Sequence, residues 1–409
     1  MTEAGQHRAR WWVVGLIFMA CCLTYMDRQM FGLLKPMMQA ELGWSELDYS
    51  GVVIAFHAAF VIGFLTFGPV MDRFGARRGY AVAFTVWALA HTALGLASTV
   101  AQFGLVRFIL GVGESGTFPA RLKAISGWFQ PQERALAIGL FNAGASCGAL
   151  LTLALVPYLT QAFGWRGAFI VTGALSFLWL GLWLLIYRRP PVVDAEAPAP
   201  RLTFAMFLSL MHDRRAWAYI VVKFLTVPVW WLYLFWLPDF LYRNHKLDLG
   251  VFGLPLLLIF VVADIGSIAG GWASSALIGK GFSVGRARLS VMAVCAVLIL
   301  PLVVVPFSPW LWLSVAIVAV AAAAHQAFSA NLLALPSDLF PKTVVGSVVG
   351  IGGAAGAVGA ILMALFSGVI LEFTQSYVAI FWVSGTIYVV ATLCLHFSRV
   401  YSTSRSETI

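Results

Sequence analysis

"GPVMDRFGARR", residues 68–78, sets one aspartate and three arginines in a short turn that opens on a glycine and a proline. The stretches on either side, 49–71 and 80–98, are almost wholly apolar. Each is long enough to cross a hydrocarbon core about 30 Å thick as a helix rising about 1.5 Å per residue. A charged turn this short between two such runs leaves room only for a reversal at the membrane surface. The stretch is therefore read as the loop of a transmembrane helical hairpin.

The same pattern extends outward over the whole chain. Of its 409 residues 61% are apolar and only 11% charged, too little polar surface for a soluble domain of this size. Spans are expected at 11–33, 49–71, 80–98, 102–122, 134–161 and 165–187, then at 214–241, 249–277, 287–307, 309–334, 343–371 and 376–398. A membrane barrel is excluded, because no alternation of apolar and polar residues runs through these segments. The polar stretch "RRPPVVDAEAPAPRLT" (188–203) divides the spans six and six. The expected fold class is thus an all-α polytopic membrane protein of twelve helices in two six-helix bundles. The expected domains are residues 1–187, a cytoplasmic linker over 188–213, and residues 214–409. "GGWASSALIGKGFSVGRAR" (270–288) follows the eighth span as residues 68–78 follow the second, so the halves echo one another, and in such repeat-built transporters substrate binds at the repeat interface.

Lysines and arginines orient the chain. On one side of the expected membrane the loops hold only Lys35, Arg166, Arg243 and Lys246, whereas most of the 26 basic residues fall on the other. Positive charge favours the cytoplasmic face, so both termini are expected there, in a multi-pass protein of the bacterial cytoplasmic membrane. The formal charge of +9 is spread over loops with no basic stripe, which argues against nucleic acid as a partner. The N-terminus lacks a cleavage-type signal, and the first apolar run reads as a retained span. Cys21, Cys22, Cys147, Cys295 and Cys394 are scattered through apolar spans and read as packing residues without disulfides. No metal-ligand spacing, nucleophile–base pairing or phosphate loop is present, so neither an enzyme nor a cofactor is expected.

An ionisable group at membrane depth costs several kcal/mol and points to function. In the first span Asp27 and Arg28 are adjacent, pointing about 100° apart on a helix. In the fourth, "RFILGVGESGTFPA" (107–120), Arg107 and Glu114 stand two turns apart on one face, about 10 Å along the axis. That is too far for direct contact, so each needs another partner or water. Glu114, near mid-span, suits a proton carrier, with Arg107 tuning it. Lys223 lies in the seventh span ahead of Pro228, with Trp230 and Trp231 offering flat faces to a ring. Asp264, His325, Gln326, Ser329 and Asn331 add polar groups to the second half, and Asn142 to the first. His57 and His91 carry less weight and read as hydrogen-bonded packing residues. Gly144 and Gly148 form a small-xxx-small face that lets helices approach closely.

The turn at 68–78 resembles the loop signature of the major facilitator superfamily, with Gly68, Asp72, Arg73, Gly75, Arg77 and Arg78 in place; these residues are expected to form a tight turn, cap helix ends and latch the cytoplasmic side. Within that superfamily "YMDR" (25–28), residues 107–120, "GWFQPQERALAIGLFNAGAS" (127–146), "VADIGSIAGG" (262–271) and "AHQAFSANLLALPSDLF" (324–340) resemble the anion:cation symporters, bacterial hexuronate and galactonate transporters in particular. The resemblance implies uptake of a monocarboxylate sugar acid with protons, by a protein acting as a monomer in the lipid bilayer. It assigns the substrate carboxylate to Arg28 and Lys223, and protons to Glu114 and Asp27 under the influence of Arg107. Two positions depart from the pattern. A tyrosine that contacts substrate in relatives is replaced by Phe60, and "GIGGAAGAVG" (350–359) offers only backbone and small side chains where some relatives carry polar groups. The same fold also serves exchange and efflux of organic anions.

Overall fold

The computed structural model describes residues 3–129, 131–187, 210–247, 253–340 and 342–398. Of the expected linker at 188–213, residues 188–209 lie outside the described residues. In the first half α1 spans Glu3–Leu33, α2 Lys35–Leu42, α3 Glu46–Leu94, α4 Val100–Trp128 and α5 Pro131–Ile186. In the second, α6 spans Arg214–Phe235, α7 Leu237–His245, α8 Gly253–Gly279 and α9 Val284–Ile299, which continues as a 3-10 turn over Leu300–Phe307. Then come α10 (Leu311–Leu339), α11 (Lys342–Thr374) and α12 (Val378–Phe397). No strand occurs among the described residues.

α3 and α5 are each twice the length of a membrane crossing, and each folds at a glycine. Gly75 (φ +72°, ψ 166°) and Gly164 (φ +70°, ψ 171°) adopt nearly the same backbone conformation, one that a Cβ all but forbids. Divided there, α3 and α5 supply two spans each, and the described helices account for the twelve expected crossings. Helix starts follow local chemistry. Ser45 accepts from the Asp48 amide while Asp48 accepts from the Ser45 amide, and Thr99 and Gln102 cap α4 in the same way.

The chain forms two compact units, Met1–Ala197 and Pro198–Ile409. Without a hydrophobic drive between helices in lipid, packing relies on close van der Waals approach at small residues. In the first unit α1 packs along α5, and α4 along α3; in the second α6 packs along α11, and α8 along α10. In span order these are one with five, two with four, seven with eleven and eight with ten, so the pairing repeats between units. Gly144 and Gly148 seat the first arm of α5 on the backbone of Phe18 and Cys22. The small residues of 350–359 serve the equivalent purpose: Gly352 faces the Tyr219 ring, Gly356 faces Val227, and Gly359 faces Phe224 and Pro228.

An aromatic column stiffens the first unit. Tyr80 and Phe84 on the second arm of α3 stack against Trp179 and Trp183 on the second arm of α5, with Phe84 and Trp179 centroids 3.8 Å apart. Trp179 Nε1 donates to the Leu16 carbonyl at 2.7 Å, tying α1 to the column. The five cysteines are all free.

Candidate functional site

Four charges of the first unit, Asp27, Arg28, Arg107 and Glu114, gather where α1 meets α4. Arg28 forms an ion pair with Glu114, donating from its guanidinium to Oε1. The same guanidinium lies over the rings of Tyr25 (5.1 Å) and Phe60 (5.4 Å). Phe60, where relatives are expected to carry a tyrosine, thus gives Arg28 a π face. Glu114 is buried, and its other oxygen, Oε2, has no hydrogen-bond partner among the described residues.

Asp27, one residue away on α1, turns to a different company. Its Oδ1 lies 2.5 Å from His91 Nδ1, and its Oδ2 accepts from Trp87 Nε1 at 3.1 Å, both on the second arm of α3. His91 Nε2 lies 2.7 Å from Thr172 Oγ1 on the second arm of α5. Arg107 Nη1 stands 4.0 Å from Asp27 Oδ1, its guanidinium held between the rings of Phe31 (4.2 Å) and Phe56 (4.4 Å). The two charges of α4 therefore find separate partners on α1, as their spacing requires. Arg107 sits by Asp27, and Glu114 by Arg28. His91, read from sequence as a packing residue, is a direct partner of Asp27.

One further cation was missed from sequence. Arg121 lies seven residues beyond Glu114 and is buried, bonded to Tyr80 Oη (3.1 Å), Thr24 Oγ1 (2.9 Å) and Thr117 Oγ1 (3.3 Å). Arg107, Glu114 and Arg121 form a stripe with a seven-residue repeat along the α1-facing side of α4, and that repeat was the signal available in the sequence.

In the second unit Lys223 is buried on α6, with no hydrogen bond or ion pair among the described residues. One turn before it the buried Tyr219 hydroxyl, and on the same helix the buried Tyr233 hydroxyl, have no hydrogen-bond partner among the described residues. Trp230 stacks on His325 from α10, with centroids 5.4 Å apart and planes 11° from parallel. His325 Nδ1 pairs with the Tyr388 hydroxyl, which reaches the Thr226 carbonyl at 3.2 Å. Trp231 stacks instead on Phe235 (5.7 Å). Trp230 thus joins the polar cluster that includes His325.

The remaining expected residues are scattered. Asn331 is committed to packing: its Nδ2 donates to the Gly270 and Ala327 carbonyls (3.1 and 2.9 Å), and its Oδ1 receives Arg288 Nη1 at 3.5 Å. Its carboxamide is occupied by the α8–α10 contact rather than offered to a ligand. Asp264 on α8 and Gln326 and Ser329 on α10 are half-buried. In the turn after the second span, Arg77 Nη2 donates to the Leu184 carbonyl at 2.7 Å, capping the end of α5, while Arg78 is exposed. The side chains of Asp72, Arg73 and Asn142, and the surroundings of Gly68, lie outside the described residues. No cluster able to hold a metal occurs among the described residues.

The charges at Arg28, Glu114 and Asp27 are paired within the helices of the first unit. The chain resembles the hexuronate transporter of Escherichia coli (strain K12), 28% identical over 89% of this chain and 88% of the relative. It also resembles the galacturonate transporter of Dickeya chrysanthemi, 30% identical over 64% of this chain and 81% of that one. A solved nucleoside transporter shares its fold at a TM-score of 0.79 and 15% identity, over 96% of this chain and 100% of the other. The profile of the Major Facilitator Superfamily matches residues 17–326. The chain is a multi-pass inner-membrane transporter, not an enzyme, and it belongs to the major facilitator superfamily.

Proposed function

We propose that the protein imports a monocarboxylate sugar acid, such as glucuronate or galacturonate, together with protons by alternating access. The observation that carries this reading is the buried pair of Arg28 and Glu114. A guanidinium fork holds one carboxylate well. When the substrate's carboxylate takes Arg28, Glu114 is left buried without its cation. Breaking a buried pair in that way costs about 3–5 kcal/mol, which a proton on Glu114 removes. Substrate and proton are thereby bound together. In the second unit, described by itself, Lys223 is a buried cation and Trp230 a stacked flat face, and both are candidate substrate contacts. The relatives named for hexuronate and galacturonate support the substrate class.

The test is uptake by the purified chain in liposomes under an imposed proton gradient, with labelled glucuronate, galacturonate and galactonate. Accumulation of at least one is expected. Failure of all three removes the sugar-acid reading, and movement only against internal anion would make the protein an exchanger.

A further inference from the structure

Asp27 and Glu114 are both buried carboxyls beside arginines, yet their hydrogen-bond surroundings differ. Around the Asp27 carboxylate two described neighbours, Trp87 and Arg107, can only donate, and the third is His91. Oδ2 faces the Trp87 indole N–H, which can donate but never accept, so a hydroxyl at Oδ2 would find no acceptor in Trp87. Oδ1 faces Arg107, also a donor only, and His91 Nδ1. A proton on Oδ1 could be accepted only by His91, and moving it there leaves the total charge of the two groups unchanged.

His91 is in turn fixed on its far side. The Thr172 hydroxyl lies 2.7 Å from the Ala168 carbonyl one turn back in its own helix. His91 Nε2 lies against that same hydroxyl, so the ring is held at both nitrogens, between Thr172 and Asp27. Asp27 and His91 are 1% and 2% exposed, and Trp87, Thr172 and Arg107 are as deeply buried. The other titratable or charged groups facing this cluster are Arg28 and Glu114 across α1 and α4, and His57 and Tyr49 on the first arm of α3. Glu114 differs in both respects: its Oε2 has no donor among the described residues, and its partner Arg28 is 14% exposed at the side chain.

We infer that His91 is a positioning residue that holds Asp27 outside the proton cycle, so that one proton, on Glu114, accompanies each monocarboxylate and no net charge crosses. This rests on the proton-coupled reading above. Were Asp27 to take a second proton, each cycle would carry one positive charge inward and respond to the membrane potential.

The test uses the full chain in liposomes, with whichever labelled hexuronate it exchanges in counterflow. With the potential clamped at zero, an inward proton gradient of one pH unit should drive about tenfold accumulation, the ceiling for one proton per anion. A potassium diffusion potential of ~118 mV, negative inside and without a pH gradient, should drive none; a carrier moving one net charge would approach ~100-fold, at ~59 mV per tenfold. Accumulation under the potential alone by the unaltered chain overturns the inference. Counterflow without any proton-driven accumulation overturns the symport reading instead, so the two failures are distinct. His91→Leu removes the donor to Asp27 Oδ1 and should make uptake sensitive to the potential. His91→Asn keeps a donor at the δ position and should remain insensitive. An insensitive His91→Leu protein would show that Arg107 alone suffices, and would remove His91 from the role.

Discussion

Arg28 and Asp27 are consecutive residues on α1 with different partners. Arg28 is half-buried beside the Glu114 carboxylate; Asp27 is buried among Trp87, His91 and Arg107. Glu114→Gln keeps the size and hydrogen-bonding reach of the side chain but can take up neither charge nor an exchanging proton. It should abolish gradient-driven accumulation while counterflow exchange continues; accumulation at the wild-type level would move the proton site elsewhere. Lys223→Ala leaves the second unit without its buried cation. Opposite charges about 4 Å apart are worth about 4 kcal/mol at an effective dielectric near 20 before desolvation is counted, so half-saturation for a monocarboxylate should rise at least tenfold. An unchanged value would make Lys223 a packing residue. The ionisable residues themselves were legible in the sequence, because a charge inside an apolar run stands out. Their partners were not. The partner of Asp27 is 64 residues away on another helix, and a lone histidine in an apolar run carries no sign of which face it presents.

At the scale of elements, the small residues matter more than the charges. A Cβ at Gly148 would lie 2.8 Å from the Cys22 Cα, and backbone cannot swing aside as a side chain can. Gly148→Val should therefore push α1 from the first arm of α5 and lower stability by about 1–3 kcal/mol, read as a fall in the melting temperature of the detergent-solubilised protein. Gly104 on α4, where a Cβ would meet nothing within 4 Å, makes the control. Gly104→Ala should leave the melting temperature unchanged or raise it, since alanine is the better helix former by about 0.5–1 kcal/mol. Equal loss in both variants would mean that helix propensity, not close approach, sets the stability. The small-xxx-small spacing of Gly144 and Gly148 was readable from sequence, as was the need for a tight turn at Gly75. The equivalent fold at Gly164 was not singled out, because "FGWRG" (163–167) lacks the run of charges that marks residues 68–78. In the second half, "GIGGAAGAVG" reads from sequence as a loss of polar groups; in the structure it is the surface on which α6, carrying Lys223, is seated.

At the scale of the whole molecule, the helix pairing repeats between the two units, and the loop charges predict their direction in the membrane. Asymmetry in lysine and arginine determines orientation because short loops rich in them are not translocated. Lys246, after α7, stands in the sparsely basic set of loops, and Lys280, after α8, in the basic set; both are exposed. With all native cysteines buried or half-buried within the spans, a cysteine introduced at either position reports its side cleanly. Lys280→Cys should react with a membrane-impermeant maleimide in inside-out vesicles and resist it in right-side-out ones, and Lys246→Cys should do the reverse. Such a pattern gives cytoplasmic termini, and it places the capped turn at Arg77 on the same side as Lys280, since both follow an even-numbered span. The opposite pattern would invert the chain. The loop charge would then have been overruled by the spans themselves, and proton entry to Glu114 would have to be drawn from the other face of the membrane.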